Sequence, residues 1–149
     1  MVRRPALFSD TSIELRDFRE SDYGSLARLW EESGVGNPAR GDTLDSIRGT
    51  LSRGGRLLVL ASGDRIVGSA WISDDGRRLY LHHMAVLPEL QGRGLGRRLM
   101  EEAAAVARER RMQMKLEVAE SNGRAIALYR TFGFEILEGY RTMIRRKVE

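Results

Sequence analysis

Residues Gln91 to Gly96 read Gln-Gly-Arg-Gly-Leu-Gly, with glycines at alternate positions between an apolar run ended by Pro88 and an amphipathic stretch from Gly94 to Arg110. Without Cβ atoms, such a segment can turn several backbone N–H groups toward one point. The unpaired N–H groups in the first turn of a helix add partial positive charge there. Together they make an anion cradle, suited to a phosphate or pyrophosphate. The loop does not read as an NTPase loop, because Arg97-Arg98 stands where Lys-Ser or Lys-Thr is required. Nor is it a dinucleotide fingerprint. The spacing is G-x-G-x-G rather than G-x-G-x-x-G, and no run of βαβ units surrounds it.

Hydrophobic periodicity predicts the elements that must hold this loop. Leu79 to Leu87 reads as the strand entering it, and the helix leaving it carries Leu95, Leu99, Ala103 and Val106 on one stripe. Upstream, Ser12 to Phe18 predicts a strand. Ser21 or Asp22 is placed to cap a helix bearing Leu26, Leu29 and Trp30. Ser33 to Asp42 reads as a glycine-containing loop, and Asp42 is expected to cap a helix with Leu44, Ile47 and Leu51, ended by Gly54-Gly55. Leu57 to Ser62 and Ile66 to Ser73 form a hairpin around Gly63-Asp64. Downstream, Met112 to Ala119 predicts a strand. Ser121 or Asn122 caps a helix with Ala125, Leu128, Tyr129 and Phe132, and Gly133 stands at its end. Phe134 to Leu137 and Tyr140 to Arg146 predict two final strands, giving the order β-α-α-β-β-β-α-β-α-β-β.

At 149 residues the chain is expected to be a single domain, 11–149, preceded by a flexible N-terminus, 1–10. Its net charge of +4 comes mostly from arginines scattered rather than gathered into a stripe, which argues against nucleic acid as the partner. There is no cysteine, so disulfides, thiolate nucleophiles and Cys-ligated metals are excluded, in keeping with the cytoplasm. Arg3 and Arg4 are not followed by a long apolar stretch, which argues against a signal peptide. No run approaches the roughly 18 apolar residues of a membrane span. The two histidines, His82 and His83, are adjacent on a strand and are expected to face opposite sides. With no third histidine, a His-rich metal site is excluded. Trp30 and Trp71 read as core.

The stretch Leu81-His82-His83-Met84-Ala85-Val86-Leu87-Pro88 through Gln91-Gly92-Arg93-Gly94-Leu95-Gly96-Arg97-Arg98-Leu99 resembles the acetyl-CoA-binding segment of the GNAT superfamily of N-acetyltransferases. A second stretch, Leu116-Glu117-Val118 through Ser121-Asn122, Ala125 to Tyr129 and Gly133-Phe134, is similar to that family's later strand and helix. The likeness is greatest to bacterial enzymes that acetylate the N-termini of ribosomal proteins. The resemblance implies a mixed α/β (α+β) single domain. Its twisted, mostly antiparallel sheet would have about six to seven strands, with about four helices around it.

It also implies acetyl-CoA as co-substrate, no metal, and a primary amine as acceptor: a small molecule, a lysine or a peptide N-terminus. A homodimer is common in the family. Met84, Ala85 and Val86 would pair with the pantetheine arm like an added strand, and the N–H of Val86 would face the thioester carbonyl. The amides from Gln91, Gly92, Arg93, Gly94 and Gly96 to Arg97 would take the pyrophosphate. Arg93 and Arg97 would screen CoA phosphates, Arg124 reads rather as a solvated surface arginine, and Asn122 would contact pantetheine while also suiting a helix cap. Tyr129 would protonate the departing thiolate, and Glu117 would accept the proton of the amine, directly or through water. By spacing alone Tyr129 also reads as a core aromatic and Glu117 as a strand residue facing solvent, and Glu89 or a histidine is an alternative base. A non-catalytic acyl-CoA-binding module on the same fold is the competing function.

Overall fold

Strands β2 (Arg56–Ser62) and β3 (Arg65–Asp74) bury nearly every side chain, so they must lie inside a sheet covered on both faces. In the computed structural model, which describes residues 12–149, they are flanked by β1 (Ile13–Asp17), β4 (Leu79–Val86) and β5 (Met114–Leu116) in the order β1-β2-β3-β4-β5. The stretch 1–10 lies outside the described residues. The first pairings are antiparallel and the last, β4 with β5, is parallel. Four α-helices accompany the sheet: α1 (Tyr23–Ser33), α2 (Leu44–Ser52), α3 (Leu95–Arg110) and α4 (Gly123–Thr131).

Helix α1 covers the sheet face that carries Ser69 and Trp71. Trp30 stacks on Trp71 at 5.5 Å and donates its indole N–H to Ser69 Oγ at 3.0 Å. Helix α3 covers the other face, burying Leu95, Leu99, Ala103 and Val106 as the periodicity predicts, and Met100 besides. Gly96, in its first turn, lies against Met84 and against Leu128 of α4.

Two expected caps are replaced, and both displaced carboxylates take other work. Asp22 precedes α1 but does not cap it. Its buried carboxylate accepts two guanidinium N–H groups from Arg16, at 2.7 and 2.9 Å, and the backbone N–H of Arg19. Helix α2 is capped by Thr43 Oγ1, which accepts from the Ser46 N–H at 3.2 Å, rather than by Asp42. Asn122 does cap α4, accepting from Ala125 N–H at 3.2 Å, and Gly133 follows it in the left-handed conformation with φ +87°.

Among the described residues no strand follows α4, so the sheet has five strands rather than six to seven. The segments 134–137 and 140–146 carry apolar residues suited to strands, but β5 is only three residues long and offers them little edge to pair with. Ile136, Leu137, Tyr140, Met143 and Ile144 are left exposed.

Candidate active site

Pairing between β4 and β5 ends at Leu81–Leu116, while β4 continues to Val86. Over those last residues β4 has a partner on one edge only. Leu87 gives its N–H to Val67 O at 2.9 Å. Strand alternation therefore turns the N–H and C=O groups of Val86 and Met84 toward the unpaired edge. Ala85 faces the other way, toward β3, where it pairs with Ser69. The side chain of Gln91 folds back and donates Nε2–H to Val86 O at 3.2 Å.

The glycine loop closes one end of this opening. Gly92 and Gly94 have φ of +84° and +79°, a region costly for other residues. Gly94 starts α3 without a side-chain cap, so the first-turn N–H groups are left for another acceptor. A Cβ on Gly92 would come within 2.9 Å of the Arg124 guanidinium, which reaches over the loop from α4. Arg97 instead turns along α4, donating to Thr131 Oγ1 at 3.3 Å and lying over the Phe132 ring. Arg93 is exposed at the loop's tip.

Tyr129 lies on α4, 8% exposed, with its ring against Phe134. Burial raises its phenol pKa above the ordinary value, which keeps the proton on. Glu117 is the first residue after β5, exposed at the rim, and its charge reaches His82. Glu89 is paired with Arg65 at 3.5 Å on the surface.

The histidines do not face opposite sides. Register runs from Ser69–Ala85 to Trp71–His82, leaving two residues of β4, His83 and Met84, opposite one of β3. This is a β-bulge, and His83 takes φ +48° to form it. Both imidazoles consequently pack on Trp71, at ring separations of 6.3 Å for His82 and 5.2 Å for His83. His83 also lies 4.6 Å from Trp30. Its carbonyl accepts from Ser69 Oγ at 2.7 Å. Asp42, freed from capping, brings Oδ1 to 3.0 Å from His83 Nε2, while its Oδ2 accepts the Asn37 N–H at 2.7 Å. The 3.0 Å contact lies off the line of a hydrogen bond, and both ring nitrogens of His83 are buried without a hydrogen-bond partner, as is Trp71 Nε1.

His82 stacks on Tyr80 and meets Ser73 Oγ through Nε2 at 2.9 Å. Its pKa is lowered, first by desolvation and then by His83, against the opposing pull of Glu117 and Asp42. The residue as a whole is exposed, so we ascribe the desolvation to the flanking Trp71 and Tyr80 rings. Trp30 and Trp71 are core, as the sequence suggests, and they also wall this site. No periodic signal announces the bulge that assembles it.

An opened sheet edge with a glycine cradle at one end fits an acyltransferase. The chain belongs to the acetyltransferase (GNAT) family, whose model matches residues 13–134. It is 28% identical over 128 residues to an acetyltransferase of Pectobacterium atrosepticum, covering 85% of this chain and 90% of the relative. The structure resembles the ribosomal-protein-S18-alanine N-acetyltransferase of Escherichia coli, with a TM-score of 0.69 at 22% identity over 83% of this chain and 77% of that one. It also resembles AAC(6')-Iy in complex with the bisubstrate analogue CoA-S-monomethyl-acetylneamine, with a TM-score of 0.70 at 18% identity over 91% and 98% of the two chains. At these identities the structural likeness speaks for the fold.

Proposed function

We propose that this enzyme transfers the acetyl group of acetyl-CoA to the nitrogen of a primary amine by direct attack, without an acyl-enzyme. The observation that carries the reading is the end of β4–β5 pairing at Leu81–Leu116, beside the glycine loop. The free amides of Met84 and Val86, with the Met84 carbonyl between them, suit an extended pantetheine arm, while the Val86 carbonyl already accepts from Gln91 Nε2–H. An arm anchored by its pyrophosphate at Gly92 to Arg97 runs along this edge past Val86 and Met84 toward the point where the strands rejoin. Its thioester then falls nearer the Met84 N–H than the Val86 N–H. We therefore assign the carbonyl-facing amide to Met84, with Val86 holding the arm.

The amine nitrogen forms a bond to the thioester carbon, and the resulting oxyanion is held by that main-chain N–H. Collapse breaks the C–S bond, Tyr129 gives its proton to the departing sulfur, and the second proton leaves the new amide nitrogen to solvent, from which the tyrosinate regains one. The amine sheds a proton toward the acidic rim at Glu117. Asn122 and Arg124, at the start of α4, flank the CoA chain and its phosphates. The absence of cysteine agrees with a direct transfer. The acceptor is a primary amine: a peptide N-terminus, a lysine or a small amine.

Purified protein should release free thiol from acetyl-CoA when a panel of amines and peptides is supplied. Tight binding of acetyl-CoA with no thiol release across the panel would instead make the chain an acyl-CoA-binding module.

A further inference from the structure

We propose that His83 is the group that first takes the proton from the attacking amine, and that Asp42 is its positioning residue. The inference rests on the acetyl-transfer reading and assigns the proton acceptor within it, with Glu117 serving as the exit to solvent.

The geometry begins with the bulge. It puts a non-glycine residue at positive φ, a strained conformation, and it is held by the buried Ser69 hydroxyl. What it accomplishes is to turn His83 toward α1 and the α1–α2 segment, next to Met84, whose amide faces the free edge. His83 thus lies against Trp30 of α1 and beside Asp42, one residue from the amide that faces the thioester, so an amine approaching from the α1 face would pass it.

The environment is that of an oriented base. Asp42 is itself fixed by the Asn37 N–H, and it addresses Nε2 at 3.0 Å. A carboxylate at Nε2 favours the tautomer with the proton there and leaves the lone pair on Nδ1. Nδ1 is buried and has no partner within the protein, an arrangement that costs stability unless a ligand uses it. An amine N–H supplies the missing donor. The misaligned Asp42 contact is of the kind that tightens when substrate fills a site. The segment that carries Asp42 has left-handed glycines at Gly34 and Gly41, φ +67° and +100°, so it can lift to admit the acceptor and close again over it.

The proton passes from the ammonium nitrogen to Nδ1, leaving a neutral amine whose lone pair forms the new C–N bond. The imidazolium returns its proton to solvent past the Glu117 rim, so the residue is regenerated each turnover.

The test compares wild type, His83→Gln and Asp42→Asn, using acetyl-CoA and the best acceptor of the amine and peptide panel. His83→Gln should lower kcat by about 10²-fold or more, with acetyl-CoA affinity by calorimetry and acceptor KM within about threefold of wild type. Asp42→Asn, on a surface segment, should give a smaller loss of the same kind. The chain has two histidines, so a ¹⁵N imidazole spectrum contains two ring systems, and His83→Gln assigns them. It should show the Nε2–H tautomer at His83 in wild type and a loss of that bias in Asp42→Asn. An unchanged kcat in either variant, or an Nδ1–H tautomer in wild type, overturns the proposal while leaving acetyl transfer standing. Wild type that releases no thiol overturns the acetyl-transfer reading and this proposal with it.

Discussion

The hydroxyl of Ser69, fully buried, donates to the carbonyl of His83 at 2.7 Å and accepts the indole N–H of Trp30 at 3.0 Å. One side chain thus ties the bulge in β4 to the helix that covers it. Ser69→Ala leaves a carbonyl and an indole N–H without their partner, at a cost of about 1–3 kcal/mol. Thermal unfolding should show that loss. Because the bulge aims both His83 and the Met84 amide, kcat should fall further than the stability loss explains. A stable variant with full kcat would show that the bulge does not depend on this hydroxyl.

Gly92 and Gly94 test the cradle in different ways. A methyl at Gly94 meets no atom within 4 Å, so Gly94→Ala should cost only the left-handed backbone, roughly 1 kcal/mol. At Gly92 the same backbone cost is joined by displacement of the Arg124 guanidinium. Calorimetry should find acetyl-CoA affinity about fivefold weaker for the first variant and more than tenfold weaker for the second. Equal losses would remove Arg124 from the binding of CoA.

Tyr129→Phe should lower kcat by about 10²-fold while leaving acetyl-CoA affinity nearly unchanged. Burial holds the phenol's pKa above the usual 10.0. An acid must be protonated to act, so any basic limb of the kcat profile that belongs to Tyr129 should lie above pH 10 and vanish in the phenylalanine variant. A limb that persists in Tyr129→Phe would assign it to another group.

Acid should destabilise the fold in two stages. His82 has a lowered pKa, chiefly through desolvation. Its contribution is present above the unfolded value of about 6.5 and declines as pH falls toward the folded value. Asp22 is held below the usual carboxylate range, first by its hydrogen bond to Arg16. Its contribution is present above about pH 3.9 and is lost as pH falls through the folded value. Denaturant titrations across pH should show both declines, and Asp22→Asn should shrink the lower one, to which Glu20 and Asp75 also contribute. Asp22→Ala should cost about 3 kcal/mol or more, because it strands the Arg16 guanidinium. A stability curve that is flat between pH 7 and 5 would contradict the reading of His82.

The elements that carry strong periodicity were legible. The stripe of α3, the hairpin at Gly63-Asp64 and the glycine loop sit where the residues place them, because each is fixed by local chemistry. Features set by tertiary contacts were not legible. The apolar residues of 134–146 suit strands, but they lack an edge to pair with. Asp42 has the right residue type for a cap, yet the neighbouring Thr43 takes that task and Asp42 goes to His83. A period of two puts His82 and His83 on opposite faces, and only a register slip between β3 and β4 brings them together. That slip comes from Ser69 and Trp30, residues far from β4 in the chain.

Acetyl-CoA is expected to lie along the free edge of β4 with its diphosphate on the glycine loop. The most direct test of that placement is a titration of ¹⁵N-labelled protein with acetyl-CoA, followed at each backbone amide. Saturable shifts should concentrate at Met84, Val86 and Gly92 to Arg97, with Leu87, which is bonded to β3, moving little. Saturation without movement at those amides, or no binding by folded protein, would contradict it.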